Sequence, residues 1–343
     1  MTRRKKKIYV ISAILLILIA AGLVFWKIGT RSVEITNNGN KQDKEEIGKI
    51  SPISGIVCEN YNRRPLAIML ASDEITRPLS GITAADLVAE MPVLTDGITR
   101  LMAIYQCESP VEIGSVRSAR HDFIPLALGF DAIFGHWGGS HFALDKLDAG
   151  IIDNIDALIN PYSAYFRKSN IEAPHNGFTT TDDFLNAAKK LNYRLENRFS
   201  GYPHLENAAA KIQQNGKLKI DYVSPVYYDY NYETNLYARW RNNKREIDKN
   251  NGNQVQAAVV VIMRAASHMI EPPNYNDVDV EGTGNATIYQ NGEEIQGSWE
   301  KKGTYSTSKL TFFDTSGEEI KFTPGKIWIE VVEPYQNITW ELY

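Results

Sequence analysis

Residues able to do chemistry crowd between positions 97 and 176 of this 343-residue chain. Gly97-Ile98-Thr99-Arg100 opens an expected strand, and Ile113-Gly114-Ser115-Val116-Arg117-Ser118-Ala119-Arg120 runs into an expected helix. Gly135-His136-Trp137-Gly138-Gly139-Ser140-His141 joins a strand to a second helix, and Arg167-Lys168 precedes Ala173-Pro174-His175-Asn176. These residue types suit an anion. Gly114 and Gly138-Gly139 let backbone N–H groups approach a ligand with no side chain in the way. Both loops feed helix N-termini, where free N–H groups and the dipole favour negative charge. Arg117 and Arg120 stand three apart at a helix start, where a basic side chain is unfavourable to the helix itself. A carboxylate or phosphate is the partner they suit. The expected ligand-binding set is therefore Arg100, Arg117, Ser118, Arg120, His136, Ser140, His175 and Asn176. If the protein is an enzyme, His175 or Glu90 would supply the acid or base.

Blander readings compete with each of these. Arg117 and Arg120 could pair with Glu90, Asp86 or Asp122, and Gly138-Gly139 could be a plain turn. His136, His141 and His175 could hold zinc with a carboxylate, but no closely spaced histidine pair supports it, and no metal or cofactor is expected. His175 with Ser115, Ser118 or Ser140 could make a hydrolase dyad, but the chain has no Gly-x-Ser-x-Gly elbow. Tyr227-Tyr228-Asp229-Tyr230-Asn231-Tyr232 alternates on an expected strand and suits cross-strand packing better than a sugar platform.

The elements that must position these residues read as two folded units. Pro65–Leu70, Asp86–Val93, Thr99–Gln106 and Ala132–Gly135 are apolar runs of strand length, and the Asp96-Gly97 pair suits a hairpin between the second and third. Ser118–Leu128, Ser140–Leu147 and Thr181–Leu191 read as helices, with Ser140 a cap for the second and Gly150 a stop. Asp182, Asp183, Lys189 and Lys190 match the dipole of the third. From about Lys217 the period is almost wholly two, with a continuous run at Val255–Met263 and turns at Asn291-Gly292, Ser316-Gly317 and Pro324-Gly325. The expected fold is thus an N-terminal transmembrane helix, a mixed α/β domain and a mostly antiparallel β domain. Their bounds are 1–31 for the stub and anchor, 32–53 for a polar tether, 54–200 and 201–343.

The anchor rests on Ile8–Trp26, nineteen residues without a charge, which as a helix span ~28 Å, close to a bilayer's hydrocarbon thickness. Five basic residues precede it and two follow, so the bulk of the chain is expected outside the cytoplasmic membrane. A cleaved signal peptide is the alternative, although Ala20-Ala21-Gly22 lies inside the apolar run. Residues 1–31 hold seven of the 37 Lys and Arg and none of the 41 acids, which leaves the remainder at −11. Such a body is a poor partner for nucleic acid, and none is expected. Cys58 and Cys107 could form a disulfide or stay as buried thiols.

A series of ordered motifs resembles one family. They include Arg64-Pro65-Leu66-Ala67-Ile68-Met69, Thr76-Arg77-Pro78-Leu79-Ser80-Gly81-Ile82, Gly97-Ile98-Thr99-Arg100, Ile113–Arg120, Ala173–Asn176, Gly297-Ser298-Trp299 and Pro324-Gly325-Lys326-Ile327-Trp328-Ile329. Over residues 54–335 the chain is similar to the YerB-like lipoprotein family of bacteria, built on a domain of unknown function with a C-terminal partner domain. The resemblance implies an extracytoplasmic, membrane-attached protein and carries no activity. The chain departs from the family pattern in lacking a lipid-accepting cysteine, in Thr95-Asp96, and in Glu246-Ile247-Asp248 where His-x-Asp is usual. The anchor and the strand–loop–arginine arrangement also resemble, in architecture alone, the LytR-CpsA-Psr phosphotransferases. Three roles follow as expectations: binding of an anionic molecule, an envelope enzyme acting on phosphate- or glycan-linked substrates, or a structural partner of a membrane complex.

Overall fold

A computed structural model of the chain describes residues 49–94 and 97–343. The expected span Ile8–Trp26 and residues 32–48 of the expected tether 32–53 lie outside the described residues, among which no helix is long and apolar enough to cross a membrane. The centre of the fold is one ten-stranded sheet. Across it run Thr311–Asp314, Glu293–Lys301, Gly282–Gln290, Val259–Arg264, Ile327–Val332, Leu87–Pro92, Thr99–Tyr105, Leu66–Ala71, Ile133–His136 and Asn154–Asp156. Strands from before and after residue 200 thus share one sheet. They meet where Leu87–Pro92 pairs in parallel with Ile327–Val332. Leu66–Ala71, Leu87–Pro92, Val259–Arg264 and Ile327–Val332 read as near-continuous apolar runs because both faces of the sheet are covered.

Side chains two apart share a face, so the sheet sorts its residues into two cores. Ala67, Met69, Val259 and Val261 pack on one face, beneath the helix Phe123–Gly129. Leu66, Ile68, Val260 and Ile262 pack on the other, with Phe184, Ala187 and Ala188 of the helix Thr181–Lys190. This second face also carries a six-stranded sheet whose main order is Lys244–Arg245, Leu236–Arg241, Val226–Asn231, Gly216–Ile220 and Ile338–Leu342. Its tyrosines behave as cross-strand packing requires. Tyr228 and Tyr230 are buried in the second core, while Tyr227 stacks on its register partner Trp240 at 5.5 Å.

Local signals are visible in the turns and caps. Asn291 and Gly292 both take positive φ, 57° and 78°, in the two-residue hairpin joining Gly282–Gln290 to Glu293–Lys301. The Oγ of Ser140 accepts the amide of Ala143 and caps the helix His141–Asp148. Thr180 caps Thr181–Lys190 in the same way. The cysteines are paired: Cys58 and Cys107 form a disulfide with their Cα atoms 5.6 Å apart.

One expected element is shorter than its periodicity suggests. The helix expected over Ser118–Leu128 is Phe123–Gly129, and Ser115 to Arg120 runs outside any helix. Backbone bonds hold it so: the amides of Val116, Arg117 and Ala119 donate to the carbonyls of Gly177, Met69 and Gly138. Arg117 and Arg120 therefore do not stand at a helix start, and the dipole argument for their pairing does not apply to them.

Candidate anion and cation sites

Arg100, Arg117 and Arg120 come together from two segments, a strand and the irregular run Ser115 to Arg120. Arg100 lies on the strand Thr99–Tyr105, opposite Ala71 and Met91 in register. Alternation turns Thr99 toward the face of the second core and Arg100 toward the face of Met102, in the first core. There its Nη1 donates to the carbonyl of Ser118 at 2.9 Å. Arg117 is fixed by the hydrogen bond its amide donates to the Met69 carbonyl and by its own carbonyl, which accepts the amide of Trp137. Its Nη2 lies 3.6 Å from the carboxylate of Asp73. Arg120 donates to the carbonyl of Ala119, and its guanidinium lies 5.4 Å from the centre of the Tyr275 ring.

The cluster is short of acceptors. The Nε atoms of Arg100, Arg117 and Arg120 are all buried without a hydrogen-bond partner. Among the described residues, Asp73 is the carboxylate within 4 Å of any of the three. Burial, and then repulsion from Arg120 and Arg117, brings the Arg100 guanidinium down to about 9. Burial lowers that of Arg120 as well. The hydroxyl of Ser115, in the same segment, is likewise buried without a partner.

The remaining residues expected at this site have other surroundings. His136 is fully buried, and both its nitrogens are engaged, Nδ1 with the carbonyl of Gly138 at 2.9 Å and Nε2 with Asn154 at 3.1 Å. Ser118 contributes its carbonyl to Arg100, and Ser140 spends its hydroxyl as a helix cap. Asn176 accepts from Arg167, whose guanidinium stacks 4.2 Å from the Trp137 ring. His175 is half-buried, with an unpartnered Nδ1. His141 is exposed and faces Glu271 at 3.1 Å.

Glu90 projects from the opposite face of the sheet to Arg100. Its register partner on the parallel neighbour is Glu330, which sets two buried carboxylates side by side. Arg239 reaches across from the second sheet to contact both, and Glu246 as well. Arg241 donates to the two oxygens of Glu90 at 2.5 Å, and the Thr99 hydroxyl caps the same carboxylate. Burial opposes the charge on Glu90, yet Arg241 and Arg239 overcome it and hold its carboxyl at about 2. Burial together with the neighbouring Glu90 pushes Glu330 up, against the pull of Arg239. This ion network bolts the two sheets together. A cleft of about 270 Å³ opens at its edge, lined by Arg77, Pro78, Arg241, Lys244 and Glu246 among others.

A second constellation has no counterpart in the sequence reading. The Nε2 of His121 lies 2.9 Å from Asp277 and 3.1 Å from Asp122. Asp277 comes from a hairpin of Ser267–Glu271 and Tyr275–Val278, far along the chain. Burial, and then the approach of Asp277, raises the Asp122 carboxyl well above its ordinary range. Among the described residues this trio and His268, Asp277 and Asp279 have metal-ligand spacing; His136, His141 and His175 do not come together. The sequence signal was the adjacent His121-Asp122 pair, with Asp277 and Asp279 two apart, but nothing local joins the two halves.

Comparison with known proteins places the chain. Residues 53–194 match the family described as "Protein of unknown function (DUF3048) N-terminal domain", and residues 217–329 the corresponding C-terminal domain. The chain is 31% identical over 291 residues to "Putative lipoprotein YerB" of Bacillus subtilis (strain 168), covering 82% of this chain and 86% of the relative. The crystal structure of YerB protein from Bacillus subtilis superposes with a TM-score of 0.76 at 29% identity, over 84% of this chain and 99% of that one. With both domains matched in order and most of the relative's length shared, the chain belongs to the YerB-like DUF3048 family.

Proposed function

We propose that this chain is a membrane-attached protein of the bacterial cell envelope, its folded body outside the cytoplasm, that binds an anionic small molecule at Arg100, Arg117 and Arg120. The ligand reading rests on one observation: three neighbouring arginines keep buried Nε–H groups unpartnered while, among the described residues, a single carboxylate, Asp73, lies within 4 Å. A buried donor left unpaired costs ~1–3 kcal/mol. A phosphate or carboxylate oxygen satisfies such donors and supplies the missing charge, and planar guanidinium groups match both anions. Attachment is supported by the basic-then-apolar run ending at Trp26 and by the name of the Bacillus subtilis relative.

Each half has a direct test. Purified full-length protein in detergent, melted against sodium pyrophosphate, inorganic phosphate and citrate, should gain about 2.7 kcal/mol of stability at a hundred times the dissociation constant of a true ligand. A melting temperature that none of the three moves would remove the anion reading. For topology, protease added to intact spheroplasts should digest the body, and its survival until lysis would refute the envelope placement.

A further inference from the structure

We propose that His121, Asp122 and Asp277 form a binding site for a first-row divalent cation of the manganese or zinc class. The chemistry of the donors comes first. One imidazole nitrogen with two carboxylates is a nitrogen–oxygen set that suits such ions, and a histidine ligand sets it apart from the all-oxygen sites of calcium and magnesium.

The spacing agrees with a particular geometry. Two ligands at about 2.1 Å from a metal and at right angles to each other lie about 3.0 Å apart. At a tetrahedral angle the same ligands lie about 3.4 Å apart. His121 Nε2 is 2.9 Å from Asp277 Oδ1, as in a hydrogen bond, and 3.1 Å from Asp122 Oδ1, spacings that also match two edges of an octahedral face. All the ligand atoms fall within 4.8 Å of one another.

This trio gathers two carboxyl groups onto one imidazole nitrogen. A single Nε2–H serves one carboxylate, and the contact between Asp122 and Asp277 is settled either by a proton held between them or by a metal ion. His121 is 7% exposed, its Nδ1 is buried without a partner, and its Nε2 is turned onto the two acids. A dication would replace carboxylate repulsion with attraction to all three groups. His268 Nε2, 3.7 Å from the second oxygen of Asp277, stands where an outer residue would orient that ligand.

The site is also open on one side. The trio lines a cavity of about 110 Å³ together with Asp279, Glu281 and Tyr305. That is room for water or a ligand atom at the coordination positions the protein leaves vacant. Four carboxylates line the cavity, against the positive charges of Arg120 and Lys146, which His121 feels from outside it. The site stands apart from the anion reading and is tested with metal alone.

Full-length protein stripped with EDTA and dialysed should take up one equivalent of Mn²⁺ at this site, read by loss of the free-ion electron paramagnetic resonance signal, and one of Zn²⁺ by calorimetry. Asp277→Asn should weaken uptake of both at least ~100-fold. Asp122→Asn should melt no lower than wild type in EDTA, because its amide keeps the side chain's size and can donate to Asp277, and should lose the rise in melting temperature that Mn²⁺ gives the wild type. If Asp122→Asn fails to fold, the half-exposed Asp277→Asn decides. No uptake of either metal at ~1 mM, or equal uptake by wild type and Asp277→Asn, overturns the site.

Discussion

Replacing Glu90 by glutamine removes one charge from the bolt between the two sheets and keeps the side chain's size. The displacement of the Glu90 carboxyl from its ordinary 4.5 to about 2 corresponds to about 3 kcal/mol of stabilisation near neutral pH. Removing one partner of a buried ion pair typically costs ~3–5 kcal/mol. Relief of the side-by-side repulsion with Glu330 offsets part of this, so a net loss of about 2–3 kcal/mol is expected. For a body of this size that is a fall of roughly 3–5 °C in melting temperature. The pH dependence carries the sign. The folded carboxyl titrates below the unfolded one, so its stabilisation is complete above about 4.5 and is lost as pH falls toward about 2. Glu330 is raised and works in the opposite direction, its ionisation costing stability as pH rises above about 4.5. Urea unfolding of wild type and Glu90→Gln at pH 7, and at steps down to pH 3, measures both effects. The two curves should differ most at pH 7 and converge in acid. Equal stability at pH 7, or a gap that widens in acid, would refute the reasoning.

Three further outcomes follow from the structure. The Cys58–Cys107 bridge closes a loop of sequence separation 49; chain entropy puts its loss at about 4 kcal/mol, to be read from the melting of the Cys58→Ser/Cys107→Ser double variant. Gly292→Ala places a Cβ 2.8 Å from the Tyr230 ring at a φ of +78°, and should cost ~1–3 kcal/mol in urea unfolding. His136→Asn removes a fully buried ring bonded at both nitrogens, and should lower stability by ~2–4 kcal/mol without weakening pyrophosphate binding.

Features written in local chemistry were legible beforehand. The pairing of Leu87–Pro92 with Thr99–Tyr105, the Asn291-Gly292 hairpin, and the caps and charges of the helices after Ser140 and Thr180 all follow from residues a few positions apart. What stayed hidden depends on distant segments. Nothing near Leu87–Pro92 announces that its neighbour is Ile327–Val332, so the joining of both halves in one sheet had no sequence signal. The start of the helix at Phe123 is set by backbone bonds to Met69, Gly138 and Gly177 rather than by periodicity. Those same bonds bring Arg117 and Arg120 beside Arg100, so the arginines gather for a reason other than the helix dipole. Glu90 was read as a candidate acid or base for a site holding Arg100, yet strand alternation sends the two to opposite faces. His121 and Asp277 meet across 156 positions, through a fold that periodicity alone does not describe.

The arginine cluster is the centre of the account, and calorimetric titration of pyrophosphate into full-length wild type and Arg117→Gln addresses it most directly. The wild type should bind at one site, and the variant at least ~10-fold more weakly, as loss of a charge-assisted contact worth ~1.5–3 kcal/mol requires. No heat from the wild type, or the same isotherm from both proteins, would contradict it.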